Sequence, residues 1–284
     1  MATIWKGAEV NSGLNARIMK DVEALKARGI TPTLAIVRVG ERPDDLSYER
    51  GAVKRAEALG VAVAKCALPV DVTQEVLLQV IRDINVDSKI HGVLLFRPLP
   101  KHLDEALICN TLVPEKDIDG ITELSLAGVF AGKPLGFAPC TPSACIEILD
   151  HFGVDCTGKK AVVIGRSLVV GKPVAMMLAK KNPTVTICHT RTADLPAVCR
   201  EADILIAAAG KAGMVGADFV RPGQLVIDVG INWNEQEQKL CGDVDFEAVS
   251  PIVEAITPVP GGVGTVTTSV LIGHVVEAAK RTLA

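Results

Sequence analysis

Ala161-Val162-Val163-Ile164-Gly165-Arg166-Ser167-Leu168-Val169-Val170-Gly171-Lys172-Pro173 is the stretch on which the fold turns. Its apolar run reads as a buried strand, and helical periodicity begins at Gly171, so a glycine turn joins a strand to a helix N-terminus. Such a junction offers backbone N–H donors and the positive end of a helix dipole to a pyrophosphate. The turn lacks the common G-x-G-x-x-G spacing, and a glycine-bounded turn of this kind also occurs as plain scaffold. Spacing alone divides the two readings evenly.

The next strand, 184–188, adds chemical detail. A common NAD site places Asp or Glu at the end of this strand, about 20 residues after the glycines. Here the strand ends Cys188-His189-Thr190-Arg191, without a carboxylate. Arg166, Thr190 and Arg191 match a 2′-phosphate instead, which favours NADP over NAD. The bland alternative makes Arg191 a solvated loop charge. Two more loops fall beyond strand ends, Asp228-Val229-Gly230-Ile231-Asn232 and Pro258-Val259-Pro260-Gly261-Gly262-Val263-Gly264, where backbone can approach a flat ring.

Outward from this turn, strands alternate with helices along the chain, the signature of βαβ units on parallel sheets. Before it come helix 10–28, strand 33–39, helix 44–59, strand 61–68, helix 73–86 and strand 91–96. Glycines and prolines between 114 and 142 break up any long element and mark a domain crossing. After it the pattern resumes with helix 143–152, strands 160–164, 184–188, 204–208 and 225–229, helix 171–180 and a last helix at 267–283. The reading is an α/β protein of two domains: an N-terminal parallel-sheet αβα substrate domain over 1–138 and a C-terminal Rossmann-like dinucleotide-binding domain over 139–266. The C-terminal helix, 267–284, is expected to pack back on the first domain.

Composition narrows the function classes. Of 284 residues, 49% are apolar and the formal charge is −3, with no basic stripe to neutralise a nucleic-acid backbone. No apolar run approaches the roughly 20 residues needed to cross a bilayer, and the N-terminal residues lack a leader pattern, so a cytoplasmic address is expected. The eight cysteines are scattered without Cys-x-x-Cys; neither disulfides nor a metal site are expected.

The turn at 165–173, taken with Pro139-Cys140-Thr141-Pro142, Lys116-Asp117-Ile118-Asp119-Gly120 and Pro260-Gly261-Gly262-Val263-Gly264, resembles the methylenetetrahydrofolate dehydrogenase/cyclohydrolase family of the FolD type. The motifs span essentially the whole chain in order. The resemblance implies a homodimer that oxidises 5,10-methylenetetrahydrofolate to the 5,10-methenyl form with NADP, in one-carbon metabolism, and usually hydrolyses that product to 10-formyltetrahydrofolate. It puts the folate-site tyrosine at Tyr48 and the pterin-binding aspartate at Asp119, with Phe96, Pro98, Gly262 and Gly264 near the substrate. Gly165, Arg166, Ser167 and Ile231 match cofactor contacts. Taken on their own, Tyr48 reads as a helix-surface aromatic and Asp119 as a turn former or cap.

Two positions depart from the family pattern. The family helix reads Tyr-x-x-x-Lys-x-Lys, and counting back from Gly60 puts Ala52 at the catalytic lysine. The family's Gln-Leu-Pro-Leu-Pro appears as Phe96-Arg97-Pro98-Leu99-Pro100, so the glutamine that orients the lysine is also gone. At about 100° per residue Lys54 lies roughly 120° from Tyr48 around the helix. Arg55 returns to the Tyr48 face, yet a guanidinium is a poor base. A different register makes Lys54 catalytic, at the expense of two deleted residues and of Tyr48. Leu168 stands where the family usually has Asn, and Thr265-Val266 where it has Pro-Met.

Hydride transfer needs two aligned rings rather than a proton carrier. The expectation is therefore a working dehydrogenase with weak or absent cyclohydrolase activity. The competing readings are an enzyme that keeps both activities through a rearranged site involving Arg97 or Arg55, an oxidoreductase for another small molecule, and a folate- or nucleotide-binding regulator without catalysis.

Overall fold

A computed structural model describes residues 1–235 and 238–283. In chain order the elements are β1 (Thr3–Ile4), α1 (Gly7–Ala27), β2 (Thr33–Val39), α2 (Pro43–Ala58), β3 (Ala62–Leu68), α3 (Gln74–Val86), β4 (Gly92–Leu95), α4 (Glu105–Thr111), α5 (Glu123–Ala131), α6 (Cys140–His151), β5 (Lys160–Ile164) and α7 (Gly171–Ala179). They continue with β6 (Thr184–Cys188), α8 (Leu195–Arg200), β7 (Ile204–Ala207), β8 (Leu225–Asp228), β9 (Asn232–Asn234), β10 (Lys239–Cys241), α9 (Phe246–Val249), β11 (Ala255–Ile256) and α10 (Val263–Arg281). The chain divides into two compact units: residues 13–140 with those from 268 onward, and residues 1–12 with 141–267.

The first unit is built on the parallel sheet β3-β2-β4. Every β2 residue after Thr33 is buried, as a strand covered on both faces requires. On α3, Leu77, Leu78, Ile81 and Ile84 recur at helical spacing and are buried, joining Val37, Val93, Leu95 and Ile108 in one core. Pro43 presets the first turn of α2, and Arg42 donates twice to Asp45, each at 2.8 Å. Glu49, on the inner face of α2, is held by Arg38 at 2.9 Å and Lys65 at 3.0 Å, which pins the helix over β2 and β3. Burial acts to raise the Glu49 carboxyl, but the bonds from Lys65 and Arg38 outweigh it and leave its pKa below the ordinary value.

The second unit carries a six-stranded parallel sheet in the order β1-β11-β8-β7-β5-β6, with Ile204, Leu205 and Ile206 of β7 wholly buried. Residues 1–12 belong to this unit, whereas the sequence reading assigned them to the substrate domain. β1 pairs with β11, Thr3 opposite Ala255 and Ile4 opposite Ile256; a two-residue strand shows no periodicity to read.

The expected crossing region also contains more structure than its glycines and prolines advertise. Thr122 caps α5 by accepting from the Ser125 N–H at 3.1 Å. Gly128 lies inside that helix because a Cβ there would press on the backbone of Leu135, so it serves close packing and does not end the helix. Likewise α6 begins at Cys140 and α10 at Val263, each a few residues before its expected start.

Both sheets are wound in two directions. The chain passes from β2 out to β3 and then across to β4 on the other side of β2; it passes from β5 out to β6 and then to β7 on the other side of β5. The loops leaving β2 and β4 therefore diverge, as do those leaving β5 and β7, and each divergence leaves a crevice at the carboxyl ends of the strands.

Asp243 holds the loop that leaves β7. It is wholly buried, and its two oxygens accept from the N–H groups of Ala209 at 2.6 Å, Gly210 at 2.9 Å and Lys211 at 2.9 Å, and from Asn232 Nδ2 at 2.9 Å. Asp243→Asn puts an amide donor where an acceptor is needed. It should destabilise the protein by about 2–4 kcal/mol in urea unfolding followed by circular dichroism; a loss below about 0.5 kcal/mol would show that Asp243 does not hold the loop.

Candidate functional site

In the first unit the crevice is framed by Tyr48 on α2 and by Phe96, Arg97 and Pro98 after β4. The Phe96 N–H donates to Val37 O at 3.0 Å, extending the β2–β4 pairing by one residue. Its ring meets Tyr48 edge to face, with centroids 5.9 Å apart and planes at 83°, a favoured aromatic arrangement. Phe96 is 8% exposed and Tyr48 42%, so Tyr48 is the member a ligand can meet. Ala52, one helical turn beyond Tyr48, is 0% exposed, while Lys54 is exposed and Arg55 half-buried. The loop that carries Phe96 is tied at both ends: Arg42 donates to Arg97 O at 3.1 Å, the Arg97 guanidinium stands 3.8 Å from Glu105, and Glu105 accepts from the Leu99 N–H at 2.7 Å.

Asp119 belongs to a segment laid along β4, where the Val93 N–H donates to Lys116 O at 2.8 Å. Gly120 is required here: its φ is +63°, and a Cβ would collide with the backbone of residues 137–139. The neighbouring Asp117 has a structural task, accepting from the N–H groups of Ile121 at 2.9 Å and Thr122 at 2.8 Å. Burial pushes the Asp119 carboxyl up to about 6, against hydrogen bonds from the Cys140 thiol and amide and the attraction of Arg97; Asp117 adds to the rise. Burial first, then proximity to Asp119 and Cys140, pushes the Tyr48 phenol above its ordinary value. At neutral pH Asp119 is thus an acceptor and Tyr48 a donor.

In the second unit the crevice lies beyond β5 and β7. Gly165 has φ +125°, and a Cβ there would collide with the Ala208 carbonyl just past β7, while one at Gly171 would collide with the Gly165 carbonyl. The turn therefore packs backbone on backbone. Ser167 caps α7, its Oγ accepting from the N–H groups of Val170 at 3.1 Å and Gly171 at 3.4 Å. Because β6 pairs with β5, Ile164 opposite Cys188, exposed Thr190 and Arg191 emerge next to exposed Arg166. The His189 Nδ1 accepts from the Arg191 N–H at 3.1 Å and fixes that corner. Two guanidinium groups, hydroxyls and a helix N-terminus form a donor set suited to a phosphorylated dinucleotide. Ile231, after β8, is 65% exposed, and a Cβ added at Gly264 would lie 3.4 Å from its Cδ1; the Gly261 carbonyl, beside Gly262, accepts from Gly7 N–H at 2.8 Å.

The structure thus gathers Tyr48, Phe96 and Asp119 in one unit, with Ala52 on the α2 face beneath Tyr48. It gathers Gly165, Arg166, Ser167, Thr190 and Arg191 in the other, where Ile231, Gly262 and Gly264 also lie. Sequence reasoning missed Asp243 and His274, and it met Cys140 only as one residue of a motif. A lone histidine among apolar helix residues reads as core, and nothing in its spacing points to Asp119.

Comparison with known proteins also divides the chain near residue 140, but leaves residues 5–12 with the first part and residues 268–283 with the second. Residues 5–119 match the catalytic domain of the tetrahydrofolate dehydrogenase/cyclohydrolase family, and residues 139–283 its NAD(P)-binding domain. The chain is 53% identical over 279 residues to the bifunctional protein FolD of Carboxydothermus hydrogenoformans, covering 98% of this chain and 97% of the relative. It is similar to the crystal structure of the bifunctional FolD enzyme of Campylobacter jejuni, with TM-score 0.96, 37% identity and coverage of 99% and 100%. It is also similar to the Trypanosoma brucei dehydrogenase-cyclohydrolase complexed with NADP and an inhibitor, with TM-score 0.92, 34% identity and coverage of 99% and 98%. On the strength of matches that run through both units, the chain belongs to the tetrahydrofolate dehydrogenase/cyclohydrolase family.

Proposed function

We propose that the chain oxidises 5,10-methylenetetrahydrofolate to the 5,10-methenyl form with NADP and hydrolyses that product slowly or not at all. The observation that carries this reading is the fully buried Ala52 beneath Tyr48, with Phe96 packed on Tyr48, in a site that keeps Asp119. The carboxylate of Asp119 accepts from the N–H and amino donors of the pterin, and the phenol of Tyr48 orients the substrate. Hydride leaves the methylene carbon as the adjacent nitrogen lone pair becomes shared over N–C–N, so no side chain has to carry a proton. NADP, held by Gly165, Arg166, Ser167, Thr190 and Arg191, supplies the hydride acceptor. Hydrolysis of the methenyl carbon makes a different demand, since the attacking water must lose a proton. Ala52 offers no group to receive it, and Lys54 is exposed. The family resemblance also supports a homodimer.

A second reading, with both activities kept, rests on Arg97 and its attraction for Asp119. A guanidinium stays protonated and acts there only as a fixed charge.

Purified protein given methylenetetrahydrofolate and NADP should form NADPH, while added methenyltetrahydrofolate should decay no faster than in buffer. The double substitution Ala52→Lys with Phe96→Gln should raise that decay by about a hundredfold, the lower range of general acid–base assistance. Rapid decay in the unaltered protein that Lys54→Ala abolishes would overturn the reading. The pH dependence is a separate check. Because the Asp119 carboxyl sits at about 6 and only its ionised form accepts from the pterin, kcat/KM for the folate should be level above that pH and fall about tenfold per unit below it. A profile flat down to pH 5 would remove Asp119 from pterin binding.

A further inference from the structure

The carbonyl of Ile118, the residue before Asp119, is approached by two side chains. His274 Nδ1 on α10 lies 2.8 Å from it and the Cys140 Sγ 3.2 Å; the two side chains are 3.7 Å apart. A carbonyl only accepts, so the hydrogen of the imidazole is on Nδ1. Burial, with help from Arg281, pushes the His274 pKa below its ordinary value despite the bond to Ile118, which keeps the ring neutral with one fixed tautomer. The ring is wedged against Phe137, centroids 5.1 Å apart. Arg281 closes that side, its guanidinium 4.1 Å from the Phe137 centroid and donating to Gly136 O at 3.1 Å.

This arrangement is more than anchorage. The Ile118 side chain is already fully buried, and Gly92 leaves it space that a Cβ would fill. Apolar burial fixes where the residue lies but leaves its peptide plane free to turn. Hydrogen bonds to the carbonyl fix the plane, and the plane aims the next side chain, which is Asp119. Cys140, whose one thiol hydrogen goes to the Ile118 carbonyl, also stands beside the Asp119 carboxylate and favours its charged form.

We propose that His274 and Cys140 are positioning residues that hold the Asp119 carboxylate in the direction the pterin requires, by fixing the Ile118 carbonyl on which both converge. The inference rests on the pterin-binding role proposed for Asp119. The charged and titratable groups that face Asp119 are Tyr48 from α2, Arg97 from the loop after β4, Asp117 from its own segment and Cys140 from the start of α6. Those around His274 are Arg281 and Glu277 on its own helix, Asp117 and Cys140. Of these, Cys140 and Asp117 face both Asp119 and His274.

Steady-state kinetics of NADPH formation with methylenetetrahydrofolate tests the proposal. His274→Ala should raise KM for the folate about tenfold, the usual effect of losing one positioning hydrogen bond, with KM for NADP within about twofold of the unaltered enzyme. His274→Asn, whose amide nitrogen falls near the Nδ1 position, should recover KM to within about threefold. Cys140→Ala should raise the folate KM, because the Ile118 carbonyl loses a donor, and move the acid limb of kcat/KM to higher pH, because Asp119 loses a neighbour that favours its charged form. Should His274→Ala fail to fold, Cys140→Ala carries the test with the same readouts. The proposal is overturned if the folate KM and acid limb stay in place in these variants, if both KM values rise together, or if folded His274→Asn behaves like His274→Ala. An unaltered enzyme that forms no NADPH from methylenetetrahydrofolate defeats the functional reading as well, so the two failures are distinguishable.

Discussion

A parallel sheet whose chain winds first one way and then the other cannot close its own carboxyl edge, because neighbouring strands send their loops apart. Everything of chemical interest in this protein follows from that constraint acting twice. Beyond β2 and β4 it leaves the space bordered by Tyr48 and Phe96; beyond β5 and β7 it leaves the glycine turn of residues 165–171. Apart from Arg38 on β2 and Asp228 at the end of β8, the buried residues of the strands are apolar, and the strands serve as rigid frames. Arg38 is the exception on β2, and it is spent on Glu49, which keeps α2 and therefore Tyr48 in place over the sheet.

The frame then decides the electrostatics. A carboxylate drawn into the protein is costly unless donors converge on it. Two solutions appear in the same chain. Asp243 gathers four N–H donors and is consumed as a structural hub. Asp119 has Cys140 and Arg97 to favour its charge, yet burial carries its carboxyl up to about 6. An under-supplied acceptor at a crevice is what a pterin edge, with its N–H and amino groups, is able to complete. The same sharing explains why Asp117, two residues away and satisfied by Ile121 and Thr122, is not a rival for the role.

Much of this was legible in the residues. β2, β5 and β6 are uninterrupted short runs bounded by proline or glycine, and their strand character depends only on local pattern. The NADP preference came from a missing carboxylate after β6 and from Arg166 and Arg191, both exposed in the structure. What stayed hidden depends on distance in sequence. β1 is two residues long and is a strand only because β11 lies beside it, more than two hundred residues away. α5 was obscured because Gly128, a helix breaker by propensity, is dictated by contact with Leu135. His274 gains its meaning from a carbonyl in another segment, and no periodicity encodes that pairing. The glycine motif at 260–264 was legible as a motif while its boundary was not, since α10 already begins at Val263.

On the function proposed above, the exchange of two polar residues for Ala52 and Phe96 is one event. An ammonium at position 52 would sit where the present side chain is wholly buried, and beside Phe96 it would find an aromatic ring in place of an amide acceptor; a buried ammonium without an acceptor is destabilising by several kcal/mol. A glutamine in the buried place of Phe96 would equally need a partner for its amide. Each single change therefore faces a barrier, and the pair does not, because the Phe96 ring fills space and satisfies itself against Tyr48. On that same reading folate binding survives such an exchange, since the Ile118 carbonyl next to Asp119 takes its support from α6 and α10, on segments that neither substitution touches. A site assembled in this way can shed the residues that manage water while retaining those that orient a ring.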